Sequence, residues 1–137
     1  MNIDSIQNGV VIDHITAGRG MELYNLLKLN SLQSQVAIIM NAQSKRNGKK
    51  DIIKVDAEID INVDVVGYVD PGATVNIIKD GRLYKKLTLD LPETLRDVIK
   101  CKNPRCITCV EQELPHIFKL TDKENRVYRC LYCETKH

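Results

Sequence analysis

Five cysteines, all towards the C-terminal end, are the residues of this sequence best suited to chemistry. Cys101-x4-Cys106 is followed further along by Cys130-x2-Cys133, two pairs of soft thiolates, each able to grip one ion from a single turn of chain. Four such donors predict a closed, structural, tetrahedral Zn²⁺ site, because no coordination position stays open for water. One Zn²⁺ per chain is expected to supply much of the folding free energy of a segment with little core of its own. Cys106-x2-Cys109 is a legitimate alternative pair, and the favoured reading leaves Cys109 a free thiol beside the metal. His116 and His137 read as surface residues rather than ligands. A redox dithiol at Cys130 and Cys133 is disfavoured, since that motif should follow a strand and open a helix.

Other chemical signatures are missing. No phosphate-binding G-x-x-x-x-G-K-[ST] loop, G-x-G-x-x-G turn, G-x-S-x-G elbow or H-E-x-x-H helix occurs. Asp13-His14 is the one adjacent acid–imidazole pair, and neighbours in a regular strand face opposite sides, which argues against a catalytic dyad. No catalytic residue is expected. Lys45, Arg46, Lys49, Lys50, Lys85 and Lys86 read as solvated cations that are also able to hold a polyanionic small molecule.

Several elements must position these groups. Residues 10–15 read as a buried strand, 21–29 as an amphipathic helix, and 35–40 as a second strand. A polar, basic loop over 41–49, with the turn dipeptide Asn47-Gly48, leads to a third strand over 51–55, which should pair antiparallel with the second. Residues 58–69 read as a helix from the stripe Ile61, Val65, Tyr68, Val69, although their β-branched content favours a strand. Pro71-Gly72 ends it, and strands over 73–78 and 82–89 flank the Asp80-Gly81 turn. The fold class is therefore α+β: a ferredoxin-like β-α-β-β-α-β domain with an added hairpin strand, followed by a small zinc-binding β domain.

The chain has 137 residues and a formal charge of +2, with 20 basic and 18 acidic side chains. A division after Asp90 separates a cysteine-free, charge-balanced part, residues 1–90, from residues 91–137, which hold every cysteine. No apolar run is long enough to span a bilayer and no secretory signal opens the sequence, so a cytoplasmic protein without membrane contact is expected. The alternative function is a zinc-ribbon nucleic-acid module using Lys100, Lys102, Arg105, Arg126 and Arg129. Four thiolates and one Zn²⁺ add a charge of about −2, which leaves that segment near neutral and disfavours nucleic acid as a partner.

The segments Gly9-Val10-Val11-Ile12-Asp13-His14-Ile15, Lys50-Asp51-Ile52-Ile53-Lys54, Ala73-Thr74-Val75-Asn76 and the cysteine pattern, in this order, closely resemble the regulatory chain of aspartate carbamoyltransferase. The resemblance spans nearly the whole sequence. It implies a subunit of pyrimidine biosynthesis without an active site: a nucleotide-binding allosteric domain over 1–90 and a zinc domain over 91–137 that contacts the catalytic chain. CTP and ATP are the implied effectors, and a second regulatory chain is the implied dimer partner. Carried over residue by residue, Asp13 and His14 would line the nucleotide site, with Ile6 and Val11 beside the base. Lys54 would reach the ribose, Asn76 and Ile78 would line the pocket, and Lys86 would meet the phosphates. Cys101, Cys106, Cys130 and Cys133 match the four zinc ligands, which leaves Cys109 outside the site.

Overall fold

Valine and isoleucine alternate with polar residues along the first part of the sequence, a period that makes strands with one buried and one open face. The computed structural model describes residues 6–45 and 48–137. Two compact units result, Met1–Asp90 and Leu91–His137. The first runs β1 (Gly9–Thr16), α1 (Gly20–Leu26), β2 (Val36–Ser44), β3 (Gly48–Val55), α2 (Val63–Val69), β4 (Thr74–Lys79) and β5 (Arg82–Thr88). Its sheet has the order β2-β3-β1-β4-β5 with antiparallel pairing throughout. This is the expected ferredoxin-like arrangement with β5 added at the edge, and β2 and β3 are antiparallel neighbours as read from the sequence.

Val10, Ile12, Ile53, Val55 and Val75 form the buried face of the sheet. They are covered by Leu23 of α1 and by Val65, Val66 and Val69 of α2, and the two helices touch each other. Val11, Asp13, Lys54, Asn76 and Ile78 alternate with that set and lie half-buried on the opposite face. Gly9 is required where β1 begins, since a side chain there would run into the Val55 carbonyl.

Four local expectations are corrected. The first helix stops at Leu26, because Lys28 takes a left-handed conformation (φ 55°) and the chain continues as a 3-10 turn, Leu29–Ser31. The second helix starts only at Val63. Asn62 is extended and its side chain accepts the Asp64 N–H at 3.1 Å, so a cap overrides the apolar stripe that had placed the start earlier. The loop over 41–49 is mostly strand: β2 runs to Ser44 and β3 starts at Gly48, through a left-handed Asn41 (φ 60°) that bulges β2 without ending it. Arg46 and Asn47 lie outside the described residues. Finally, the regular alternation assumed at Asp13-His14 is broken by a second bulge, where His14 has φ 59°.

Both bulges flank one residue. Asp51 of β3 is fully buried, and its carboxylate accepts N–H bonds from Gly18 (3.0 Å), Gly20 (2.9 Å) and Asn41 (3.1 Å). It thereby fixes the entry to α1 and the kink in β2. A side chain at Gly20 would approach the Asp51 carboxylate to 2.9 Å, so this helix start has room for glycine alone.

The second unit is an antiparallel sheet of β6 (Thr94–Arg96), β7 (Ile117–Asp122) and β8 (Val127–Cys130), with the four-residue helix α3 (Ile107–Val110) between β6 and β7. Leu95, Phe118 and Tyr128 form its small core, and the Tyr128 hydroxyl donates to the Pro92 carbonyl. The chain end folds back: the His137 N–H bonds the Tyr128 carbonyl at 3.0 Å and its ring meets Phe118 edge-on.

Asp51→Ala strands three N–H donors at a buried position and is expected to cost the first unit about 3–5 kcal/mol. Hydrogen exchange at the Ile53 and Val55 amides, set against urea unfolding of the same variant, measures that loss.

Candidate functional sites

The metal centre is assembled at one end of the second sheet, where β6 and β8 both finish beside the start of β7. Cys101 lies after β6, Cys106 caps α3, Cys130 ends β8, and Cys133 sits in the turn beyond it. Their four sulfurs lie within 4.8 Å of one another. Cys101 and Cys133 are 3.5 Å apart and Cys106 and Cys130 are 3.7 Å apart. A tetrahedral ion with bonds of about 2.3 Å to sulfur requires sulfur–sulfur separations of about 3.8 Å. The donor set therefore fits such an ion.

The surroundings favour the thiolate at two of the four positions and oppose it at the other two. Backbone N–H groups are directed at every sulfur: Asn103 at Cys101, Thr108 at Cys106, Tyr132 and Cys133 at Cys130, and Thr135 at Cys133. The Thr108 hydroxyl, 3.1 Å from the Cys106 sulfur, pulls that thiol below its ordinary value, and the Thr135 hydroxyl lowers Cys133 to about 6. Burial pushes the Cys101 thiol up to about 12 and raises Cys130. Four sulfurs this close carry full charge together only around a cation. Cys109 stands outside the cluster, exposed, with its thiol bonded to the Cys101 carbonyl. His116, read as a surface residue, is half-buried, and its Nδ1 accepts the Cys101 N–H at 3.2 Å, which holds the first ligand's backbone.

The second site is a cavity of about 320 Å³ on the open face of the first sheet, lined by Ile6, Val11, Asp13, Ile52, Lys54, Ile78 and Gly81. It brings together Ile6, Val11, Asp13, Lys54 and Ile78 of the residues singled out in the sequence. Asn76 and Lys86 are not in the lining but continue it. Lys54 pairs across strands with Val11, Val11 with Asn76, and Asn76 with Lys86, giving one row over β3, β1, β4 and β5. Asn76 Nδ2 donates to the Val11 carbonyl at 3.4 Å, and Lys86 is exposed at the sheet edge. His14 does not line the cavity; its Nδ1 lies 3.2 Å from the Thr74 hydroxyl.

Asp13 sits at one side of the cavity with Lys50 Nζ 2.9 Å away and the His14 N–H at 2.6 Å. Burial alone would raise its carboxyl, but the Lys50 ammonium and the His14 N–H together hold it below the ordinary carboxylate value. At the other side, the Gly81 N–H bonds the Gln7 carbonyl at 2.9 Å and ties the β4–β5 turn to the segment before β1.

Comparison with known sequences gives each part of the chain a family description. Residues 1–90 match the family described as aspartate carbamoyltransferase regulatory chain, allosteric domain, and residues 93–137 match the metal binding domain of the same chain. The chain belongs to the family of aspartate carbamoyltransferase regulatory chains. It is 50% identical over 134 residues to the regulatory chain of Clostridium acetobutylicum, covering 98% of this chain and 92% of that one. The Clostridium tetani regulatory chain is 50% identical over 135 residues, with 98% and 94% covered, and that of Bifidobacterium longum is 43% identical over 134 residues, with 98% and 96% covered. As a regulatory chain it is the non-catalytic subunit, with a catalytic chain as partner. No described helix is long and apolar enough to cross a membrane.

Sequence reasoning passed over Ile52, Thr108 and Thr135, although their signals were present. Lys50, Ile52 and Lys54 recur at every second position of a strand and so share a face. Thr108 and Thr135 each follow a cysteine at the same offset, Cys106-x-Thr108 and Cys133-x-Thr135.

The lowered Asp13 carboxyl stabilises the fold fully above the ordinary value of about 3.9, and that contribution is lost as pH falls through its lower folded value. Lys50→Gln is expected to lower stability at neutral pH by up to about 1 kcal/mol, a small figure because the pair is partly exposed. Urea titrations of both proteins should converge as the pH is taken down through that range.

Proposed function

We propose that this chain binds nucleoside triphosphate effectors, CTP and ATP, at the open face of its allosteric domain and passes the effect to catalytic chains held through its metal-binding domain. The observation that carries this reading is the row Lys54–Val11–Asn76–Lys86 beside the cavity, with Lys50 near it. A nucleoside triphosphate carries close to four negative charges, and lysines donate charge-assisted hydrogen bonds to phosphate oxygens. Ile6, Val11 and Ile78 supply an apolar wall for a base, Asp13 accepts from hydroxyl or amino groups, and Lys54 reaches the ribose. Asn76 borders the site, and Lys86 meets the phosphates at the sheet edge.

The metal is Zn²⁺, one per chain, held by Cys101, Cys106, Cys130 and Cys133 in a structural role. Support comes from the all-sulfur donor set and from two sulfur–sulfur separations close to the tetrahedral value, since softer ligands select Zn²⁺ over Mg²⁺ or Ca²⁺. When bound, the ion supplies folding free energy rather than reactivity. The chain works in the cytoplasm, where thiols stay reduced and available to metal, and pairs with a second regulatory chain. Effector control of this kind requires the nucleotide to bind two states of the assembly with different affinity.

Mixing the chain with catalytic trimers and measuring rate against aspartate tests the reading. CTP or ATP is expected to move the half-saturating aspartate concentration, and Lys54→Ala or Lys86→Ala to weaken nucleotide binding by about tenfold or more. A complex whose rate ignores both nucleotides, together with a chain that binds neither, overturns it. Elemental analysis should find close to one zinc per chain in the parent protein and in Cys109→Ser. Cys130→Ser should lose the zinc and the fold of the second unit, and retention of both would reject the assignment.

A further inference from the structure

The bulge in β1 is a costly feature at the edge of the proposed effector site. Register with β3 slips between Ile12 and Ile15, and the slip is produced by His14 at φ 59°, a conformation that most side chains avoid. Histidine, with asparagine and aspartate, tolerates it better than other side chains, and β-branched residues tolerate it worst. Three bonds hold the bulge. The His14 N–H turns onto Asp13 Oδ1 at 2.6 Å, the same oxygen receives Lys50 Nζ at 2.9 Å, and the His14 ring is engaged by the Thr74 hydroxyl at 3.2 Å. Asp13 lines the cavity and His14 does not.

We infer that His14 is a positioning residue: its left-handed backbone, rather than its imidazole, sets the Asp13 carboxylate against Lys50 and so shapes one side of the cavity. This rests on the reading of the cavity as a nucleotide site for its consequence in binding, but not for its consequence in the free chain. In a regular strand the His14 N–H would point towards a neighbouring strand and not back along its own. Asp13 would then lose its nearest donor, and the carboxylate would be free to leave Lys50. The charged groups that face Asp13 are Lys50 and Lys54 from β3 and His14 from β1 itself.

The full-length, metal-loaded chain provides the test in two independent arms. In the free protein, the Asp13 carboxyl carbon is titrated by NMR in the parent, His14→Gly, His14→Asn and His14→Val. Gly and Asn reach φ 59° readily and should leave Asp13 titrating below the ordinary carboxylate value, whereas Val should return it to that value. If Val does not fold, His14→Ala takes its place, since alanine disfavours a left-handed residue by about tenfold. In the second arm, CTP binding is measured by calorimetry. Gly and Asn should stay within about threefold of the parent, and Val or Ala should weaken CTP by about tenfold, the penalty for the left-handed residue. The inference is overturned if Gly releases Asp13 as Val does, or if Gly abolishes CTP binding while Asp13 titrates as in the parent, because the imidazole itself is then the contact. A parent chain that binds no CTP defeats the nucleotide reading alone, and the Asp13 titration still decides the role of His14.

Discussion

One buried carboxylate organises the first unit. Asp51 lies at the level where both strands beside β3 bulge, and it takes the N–H of Asn41 from β2 and those of Gly18 and Gly20 at the start of α1. An ionised group is taken out of water only if its lone pairs are met, and here three backbone donors meet them. In return, the backbone groups freed by the bulge in β2 and by a helix start find a partner. Strand alternation then does the rest. Lys50, the preceding residue, is turned to the other face, where it pairs with Asp13, so the dipeptide Lys50-Asp51 joins the packed side of the sheet to the cavity side.

The second unit depends on the same arrangement with different atoms. Its apolar core is little more than Leu95, Phe118 and Tyr128, too small to stabilise three short strands alone. The four cysteines stand in for a larger core. Each sulfur has a backbone N–H directed at it, two have a threonine hydroxyl as well, and His116 holds the backbone of Cys101. In both units a buried group with negative character is stabilised by peptide N–H groups, and the chain's local conformation follows from where those N–H groups must point.

These constraints explain what could be read from the sequence. The order of strands and helices was legible because hydrophobic period and turn dipeptides report local preferences, and Asp80-Gly81 and Pro71-Gly72 sit where expected. The metal cluster was legible because its spacing is itself the signal. What was hidden depends on long-range contacts. Residue type favours a left-handed Asn41 and His14 only weakly, and each bulge also depends on a side chain brought to it by the fold: Asp51 on a neighbouring strand for Asn41, and Lys50, which steadies the adjacent Asp13, for His14. The late start of α2 was hidden for a different reason. Ile61 continues the helical stripe, but the Asn62 cap competes for the same backbone and prevails.

The cavity combines a firm floor with a lightly held wall. Val11, Asp13, Ile52 and Lys54 belong to β1 and β3, strands in the middle of the sheet whose opposite face is packed against the helices, so displacing them would disrupt the core. Ile6 and Gly81 lie outside the strands. Their segments are joined by the Gly81 N–H to the Gln7 carbonyl and by the weaker Asp80 N–H to Asn8 Oδ1, at 3.3 Å. Local opening free energies fall where backbone bonds are few and exposed. The free energy needed to reshape this cavity is therefore smallest at the wall formed by the turn and the segment before β1, and largest at the floor. A ligand spanning both would be oriented by the floor and would do its conformational work on the wall, which is the division an allosteric site requires if it is to remain specific while its surroundings change.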